Sequence, residues 1–240
     1  MTETGPGEEE RIAELRELVV VAAALPHVAF DGWSDRSLAQ AVVEAGVDPG
    51  LARLAFPRGG LDLALAYHYA RDRALAADLA AADLGGLRFR DRIAYAVMRR
   101  LELVAGEREA VRRGAAFFAL PQHAADGARA IWHTADTIWT ALGDESRDFN
   151  WYSKRTTLSA VYSSALLYWL GDETPGASAT REFIQRRIDN VMQFEQVKAR
   201  VRKNPLAAAM LKGPQRLLDR VRAPGDTAPS DLPGSLRSRT

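Results

Sequence analysis

The residues able to do chemistry are few and do not gather in the patterns that catalysis needs. A helical metal site asks for carboxylates and histidines three or four positions apart on facing helices, as in the Glu-x-x-His pairs of di-iron bundles. None of His27, His68, His123 or His133 has an acid three residues before it. Each is expected to be a surface or satisfied core residue. No Gly-rich phosphate loop of Walker or dinucleotide type occurs, and Gly59-Gly60 and Gly85-Gly86 read as breaks between helices. No serine sits in a nucleophile template, and with no cysteine at all there is no thiolate nucleophile, thiolate zinc site or disulfide. A non-enzyme with no cofactor of its own is the expectation.

Binding chemistry is better represented. In the run Gly143 to Arg155, Asp148-Phe149-Asn150-Trp151-Tyr152 mixes aromatics with charges at the start of a helix. Asp148 or Asn150 could cap that helix and Trp151 staple it to the core. Trp, Tyr and Arg together are equally the residue types that dominate protein-protein hot spots, and the residues alone leave both readings open. Further large apolar side chains lie on the long helices: Tyr95, Met98, Phe117, Phe118, Trp132, Trp139 and Tyr162. They read either as packed core or as the lining of a lipid-binding cavity between helices.

The elements that must position these residues are all helical. Apolar positions recur at helical spacing, and no segment alternates as a strand would. The spacing predicts helices near 9–29, 34–46, 48–56, 61–82, 89–105, 107–120, 122–142, 151–170 and 179–202. Ser34 and Asp48-Pro49 supply helix starts and Gly46 a helix end. The expected organisation is a short disordered N-terminus at 1–8, a helical domain at 9–202 whose first part to about 60 is a three-helix head, an amphipathic helix at 203–223, and a Pro/Ser/Gly-rich disordered tail at 224–240.

Charge is unevenly spread. The net charge is +1, but Lys198 to Arg222 carries +7, leaving −6 elsewhere. In the expected terminal helix Leu206, Met210, Leu217 and Val221 form one stripe, with Lys212, Arg216 and Arg220 opposite. That pattern fits a helix lying in a membrane interface, or one docked on its own bundle. The longest apolar run, Leu18 to Leu25, is far too short to span a bilayer, and the acidic start at 2–11 is unlike a secretory signal. A cytoplasmic protein, peripheral at the inner membrane of a bacterium, is expected.

Two resemblances add to this reading. Ser37-Leu38, Ala41, Ala45-Gly46-Val47, Phe56-Pro57, Leu61 and Leu63 resemble the helix-turn-helix head of TetR-type regulators. Used on DNA, such a head would place its third helix in the major groove. Yet between Asp48 and Phe56 the only cation is Arg53, Leu54 stands where the pattern has tyrosine and Gly59 where it has lysine. Phosphate contacts dominate DNA affinity, so a structural head is expected and a ligand-responsive regulator is the alternative.

Trp132-His133, Ala135-Asp136, Ile138-Trp139, Gly143-Asp144, Ser146, Asp148-Phe149-Asn150-Trp151-Tyr152, Lys154-Arg155, Val161-Tyr162 and Leu167-Tyr168 resemble the accessory-protein family of ubiquinone (coenzyme Q) biosynthesis, as do Phe30-Asp31-Gly32-Trp33 and Phe56-Pro57-Arg58-Gly59-Gly60. The resemblance implies a TetR-like fold that binds isoprenoid quinone intermediates at the membrane and presents them to the di-iron demethoxyubiquinone hydroxylase. It further implies that Asp148, Trp151, Tyr152 and Arg155 belong to the surface touching that partner, and that a terminal helix binds membrane. A homodimer is an expectation from the TetR likeness.

Overall fold

The computed structural model describes residues 6–147 and 149–203. Asp148, the expected membrane helix with Leu206, Met210, Lys212, Arg216, Leu217 and Arg220, and the tail at 224–240 lie outside those residues. Every regular element among the described residues is helical, in keeping with the spacing of the apolar positions.

The head comprises α1 (Pro6–Leu18), a π segment (Val19–Ala24), α2 (Leu25–Asp31), α3 (Asp35–Glu44) and α4 (Pro49–Ala55). The expected single first helix thus starts earlier, at Pro6, and changes its hydrogen-bond register before Pro26. Pro26 has no N–H to give to a carbonyl one turn back, and a wider i to i+5 pairing precedes it. Ser34 caps α3 by accepting from Ser37 N–H, and Asp48 caps α4 by accepting from Gly50 and Leu51 N–H. On α4, Leu51, Arg53 and Leu54 are the exposed side.

The head is locked to the body at Gly59-Gly60. Gly59 has φ +57°, and Gly60 N–H donates to Asp35 Oδ1 at 2.8 Å. A Cβ on Gly60 would lie 2.7 Å from Ser34 Cα and Trp33 O, both backbone atoms with no room to yield. This close crossing accounts for the two glycines at the start of the next helix.

The body follows as α5 (Gly60–Ala81), α6 (Phe89–Glu102), a 3₁₀ turn (Ala105–Glu107), α7 (Arg108–Phe118), α8 (Ala124–Ala141), α9 (Phe149–Leu170), a second 3₁₀ turn (Pro175–Ala177) and α10 (Ser178–Lys203). Helix α8 packs between α5 and α9, α10 closes over α6 and α9, and α7 bridges α2 and α8. One continuous core runs through both parts, from Val28 and Trp33 in the head to Leu101, Ile138, Tyr162 and Ile184 in the body. No helix among the described residues is long and apolar enough to cross a membrane.

Candidate functional site: an apolar cavity and an aromatic patch on two shared helices

A cavity of about 320 Å³ opens between α5, α6, α7, α8 and α9, and its walls are mostly carbon. Small residues make the room: Ala64 on α5, Ala110, Gly114 and Ala115 on α7, Gly127 and Ala130 on α8. Packing α7 this close to α8 requires Gly127, where a Cβ would meet Phe118 Cβ at 2.7 Å. Trp33 forms part of the wall and is fixed by its indole N–H donating to Ala110 O at 3.0 Å, with its ring 5.0 Å from that of Tyr67.

Of the residues singled out as lipid-binding, Phe118 and Tyr162 line this cavity. The other five do not. Met98 is buried in the core, Tyr95 is at the surface, and Phe117 stacks on His123 at 4.2 Å. Trp139 packs against Phe89 at 5.6 Å, under the Lys154 ammonium. Trp132 joins Trp151 and Tyr152 instead. Helical spacing places each of these on an apolar stripe, but the direction of the stripe depends on how the helices are rotated against one another.

Polar groups lie in and behind this wall, and two of them, Arg100 and Asp72, were passed over in the sequence reading. Asp72 is wholly buried and accepts from Arg100 Nε at 2.8 Å, from Thr134 Oγ1 at 3.0 Å and from His133 Nδ1 at 2.7 Å. Arg100, 3% exposed, also donates Nη2 to His68 O at 3.2 Å and lies over the Tyr162 ring. Desolvation works against ionised Asp72, but His68, His133 and Arg100 outweigh it and hold the carboxyl at about 2. Burial lowers His68 to about 4, leaving a neutral ring whose Nε2 hydrogen-bonds Ala130 O and Thr134 Oγ1. Although His68 and Asp72 stand four apart on α5, Arg100 occupies the cationic place beside the carboxylate. The signal was present in the sequence: Arg100 interrupts the stripe Ile93, Val97, Leu101, Val104, and Asp72 sits between Leu65 and Leu75.

The second feature is an aromatic patch. The ring of Trp132 on α8 lies 5.7 Å from Trp151 and 6.3 Å from Tyr152 on α9, and the latter two meet edge-to-face at 4.7 Å. All three are partly exposed. Arg155, expected in the partner surface, is instead 2% exposed and lies beneath the patch, its guanidinium 4.0 Å from the Trp151 ring centroid. It donates Nε to Asp136 and Nη1 to Asp144 at 3.1 Å. Asp144 also accepts from Lys154 Nζ at 2.7 Å and from Ser146 Oγ at 2.7 Å. Desolvation raises the Asp144 carboxyl, but Lys154, Ser146 and Arg155 prevail and hold it at about 2. The ion network ties the loop after α8 to the first turns of α9 and so fixes the rings above it.

Helices α8 and α9 contribute to both features. Ile131 faces the cavity while its neighbour Trp132 faces the patch, and Tyr162 lies about 16 Å along the α9 axis from Trp151 at the usual helical rise.

The fold places the chain among TetR-like all-helical proteins. It superposes on the crystal structure of a TetR transcriptional regulator from Nitrosomonas europaea with a TM-score of 0.56 and 19% identity, over 73% of this chain and 96% of that one. That likeness concerns the fold. Residues 124–195, which carry α8, α9 and the patch, match the model of the COQ9 family.

The ubiquinone biosynthesis protein COQ9 of Drosophila melanogaster, a mitochondrial protein, is 30% identical over 198 residues, covering 80% of this chain and 60% of that protein. Human COQ9 is 27% identical over 200 residues, covering 78% and 62%. The chain thus carries the COQ9 family region and is homologous to COQ9 proteins over about four-fifths of its length, while spanning about 60% of theirs.

Proposed function

We propose that this chain is a non-catalytic accessory protein of ubiquinone biosynthesis that takes up an isoprenoid quinone intermediate at a membrane surface and presents it to the demethoxyubiquinone hydroxylase. The observation that carries the reading is the pairing of an apolar cavity with an exposed aromatic patch on the same two helices, within the region matching the COQ9 family. A volume of about 320 Å³ is at the small end of ligand pockets and holds a ring or a few isoprene units. A longer tail would extend beyond it. The Trp132, Trp151 and Tyr152 rings supply the rigid, amphipathic surface favoured in protein interfaces.

Peripheral attachment through residues 203–223 is part of the proposal and rests on their sequence pattern. Truncation after Arg202 should then release the protein from anionic vesicles. The central test is native mass spectrometry of protein purified from a ubiquinone-making host. A co-purifying isoprenoid quinone or precursor is expected, and protein free of any isoprenoid would overturn the reading.

A further inference from the structure

At Arg100 the cavity wall has a polar site at which an apolar ligand would fit badly. Arg100 Nε is taken by Asp72 and Nη2 by the His68 carbonyl, but among the described residues Nη1 has no hydrogen-bond acceptor. Arg100 lines the cavity and is nearly fully buried, as is Tyr162 beside it. A guanidinium N–H left dry against hydrocarbon is costly, whereas an oxygen placed there forms a charge-assisted hydrogen bond.

The sign of the surroundings narrows the class of ligand. Asp72 already balances Arg100, and His68 is neutral on account of its burial. Behind the wall at Tyr67, Glu107 is paired with Arg71 and accepts from the Tyr67 hydroxyl. His133 meets Asp72 from the solvent side, where water screens it. A carboxylate or phosphate entering the cavity would therefore bring a buried charge with no counter-ion left to neutralise it. A carbonyl, phenol or ether oxygen brings none.

We propose that Arg100 Nη1 is a ligand anchor which makes this cavity selective for a neutral oxygenated ring over an anionic head carrying the same tail. The proposal rests on the lipid-binding reading above and adds to it an orientation, with the ring inward against Arg100 and the tail toward Leu166, Leu167 and solvent, and a specificity. Asp72 acts as a positioning residue, holding the guanidinium so that Nη1 is presented to the ligand.

The test uses three probes with one ten-carbon tail: a decyl-substituted dimethoxybenzoquinone, decylbenzene and decylbenzoate. Each is offered to the full chain from phosphatidylcholine vesicles, and the protein-bound fraction is quantified by mass spectrometry. The wild type should take up the quinone about tenfold or more over decylbenzene, the gain expected of a charge-assisted hydrogen bond, and should disfavour decylbenzoate. The double variant D72N/R100M removes both charges together and should bring the quinone within about twofold of decylbenzene, as uptake of decylbenzene rises and that of the quinone falls. R100K, which keeps the charge but not the planar fork, should also reduce quinone uptake and serves if the double variant does not fold. Equal uptake of quinone and decylbenzene by the wild type, a preference that survives both variants, or a preference for decylbenzoate would overturn the anchor while leaving lipid binding intact. Uptake of none of the three by the wild type would overturn lipid binding and the anchor with it.

Discussion

The Arg155 guanidinium lies 4.0 Å from the centroid of the Trp151 ring and is tied through Nη1 to Asp144 and through Nε to Asp136. A buried cation thus supports a partly exposed aromatic. The stack and the ion pairs share one side chain, so the order of the loop after α8 and the orientation of the patch cannot be varied independently.

Replacing Arg155 should be felt as stability before it is felt as binding. Arg155→Met leaves Asp144 with one cation, Lys154, in place of two among the described residues and should cost about 3 kcal/mol, the usual effect of breaking a buried pair. Arg155→Lys should lose less, because the charge stays, yet still loosen Trp151 by removing the planar stack. Urea denaturation of both variants checks this ordering; equal stability of wild type and Arg155→Met would refute the supporting role.

Trp151→Ala and Tyr152→Asp alter the surface above that network. Both should abolish capture of the hydroxylase in a pull-down with purified proteins while leaving the circular dichroism spectrum unchanged. Undiminished capture by both would remove the patch from the interface.

Acid should destabilise the protein in two stages. His68, Asp72 and Asp144 are all held below their ordinary values, so each contributes stability that is present above that value and lost as pH falls through the folded one. For His68 the window runs from 6.5 down to about 4, as the unfolded chain takes up a proton that the buried ring refuses. The two carboxylates follow between about 4 and about 2. At about 1.4 kcal/mol per unit, the His68 stage amounts to roughly 3 kcal/mol. Denaturation midpoints measured from pH 7 to pH 4 should fall in the wild type and stay nearly flat in His68→Gln.

Gly127→Ala tests the close approach that shapes the cavity. Alanine favours a helix by about 0.5–1 kcal/mol over glycine, but here its Cβ would sit 2.7 Å from Phe118 Cβ. Overpacking of this kind costs about 1–3 kcal/mol, so a net loss of stability is expected, together with weaker uptake of the decyl quinone. A gain in thermal midpoint would show that α7 can move away without consequence.

Much of this protein was legible in its residues. Apolar spacing determines the helices, because each must turn one face inward, and the starts at Ser34 and Asp48-Pro49 follow from local hydrogen bonding that needs no tertiary partner. The run from Gly143 to Arg155 stands out in the sequence because aromatics and charges together are unusual at the start of a helix, although its residues alone left a helix cap and a binding surface equally open. Other assignments depended on neighbours far away in the chain. Arg155 looked like a surface cation until Asp136 and Asp144 enclosed it, and Trp132 looked like cavity wall until α9 brought Trp151 and Tyr152 to it.

The same holds within the cavity, where Phe118 and Tyr162 face the space while Met98, Trp139 and Phe117 fill the core or its margins. Periodicity specifies that a helix has an apolar face, but every residue on that face has the same periodicity. Only the rotation and spacing of packed helices, set here by the contacts at Gly60 and Gly127, decide which of those residues meet a neighbour and which meet a void. The buried partnership of Asp72 and Arg100, 28 positions apart on α5 and α6, is of the same kind: two charges anomalous on apolar stripes in the sequence become one neutral pair only when the helices pack.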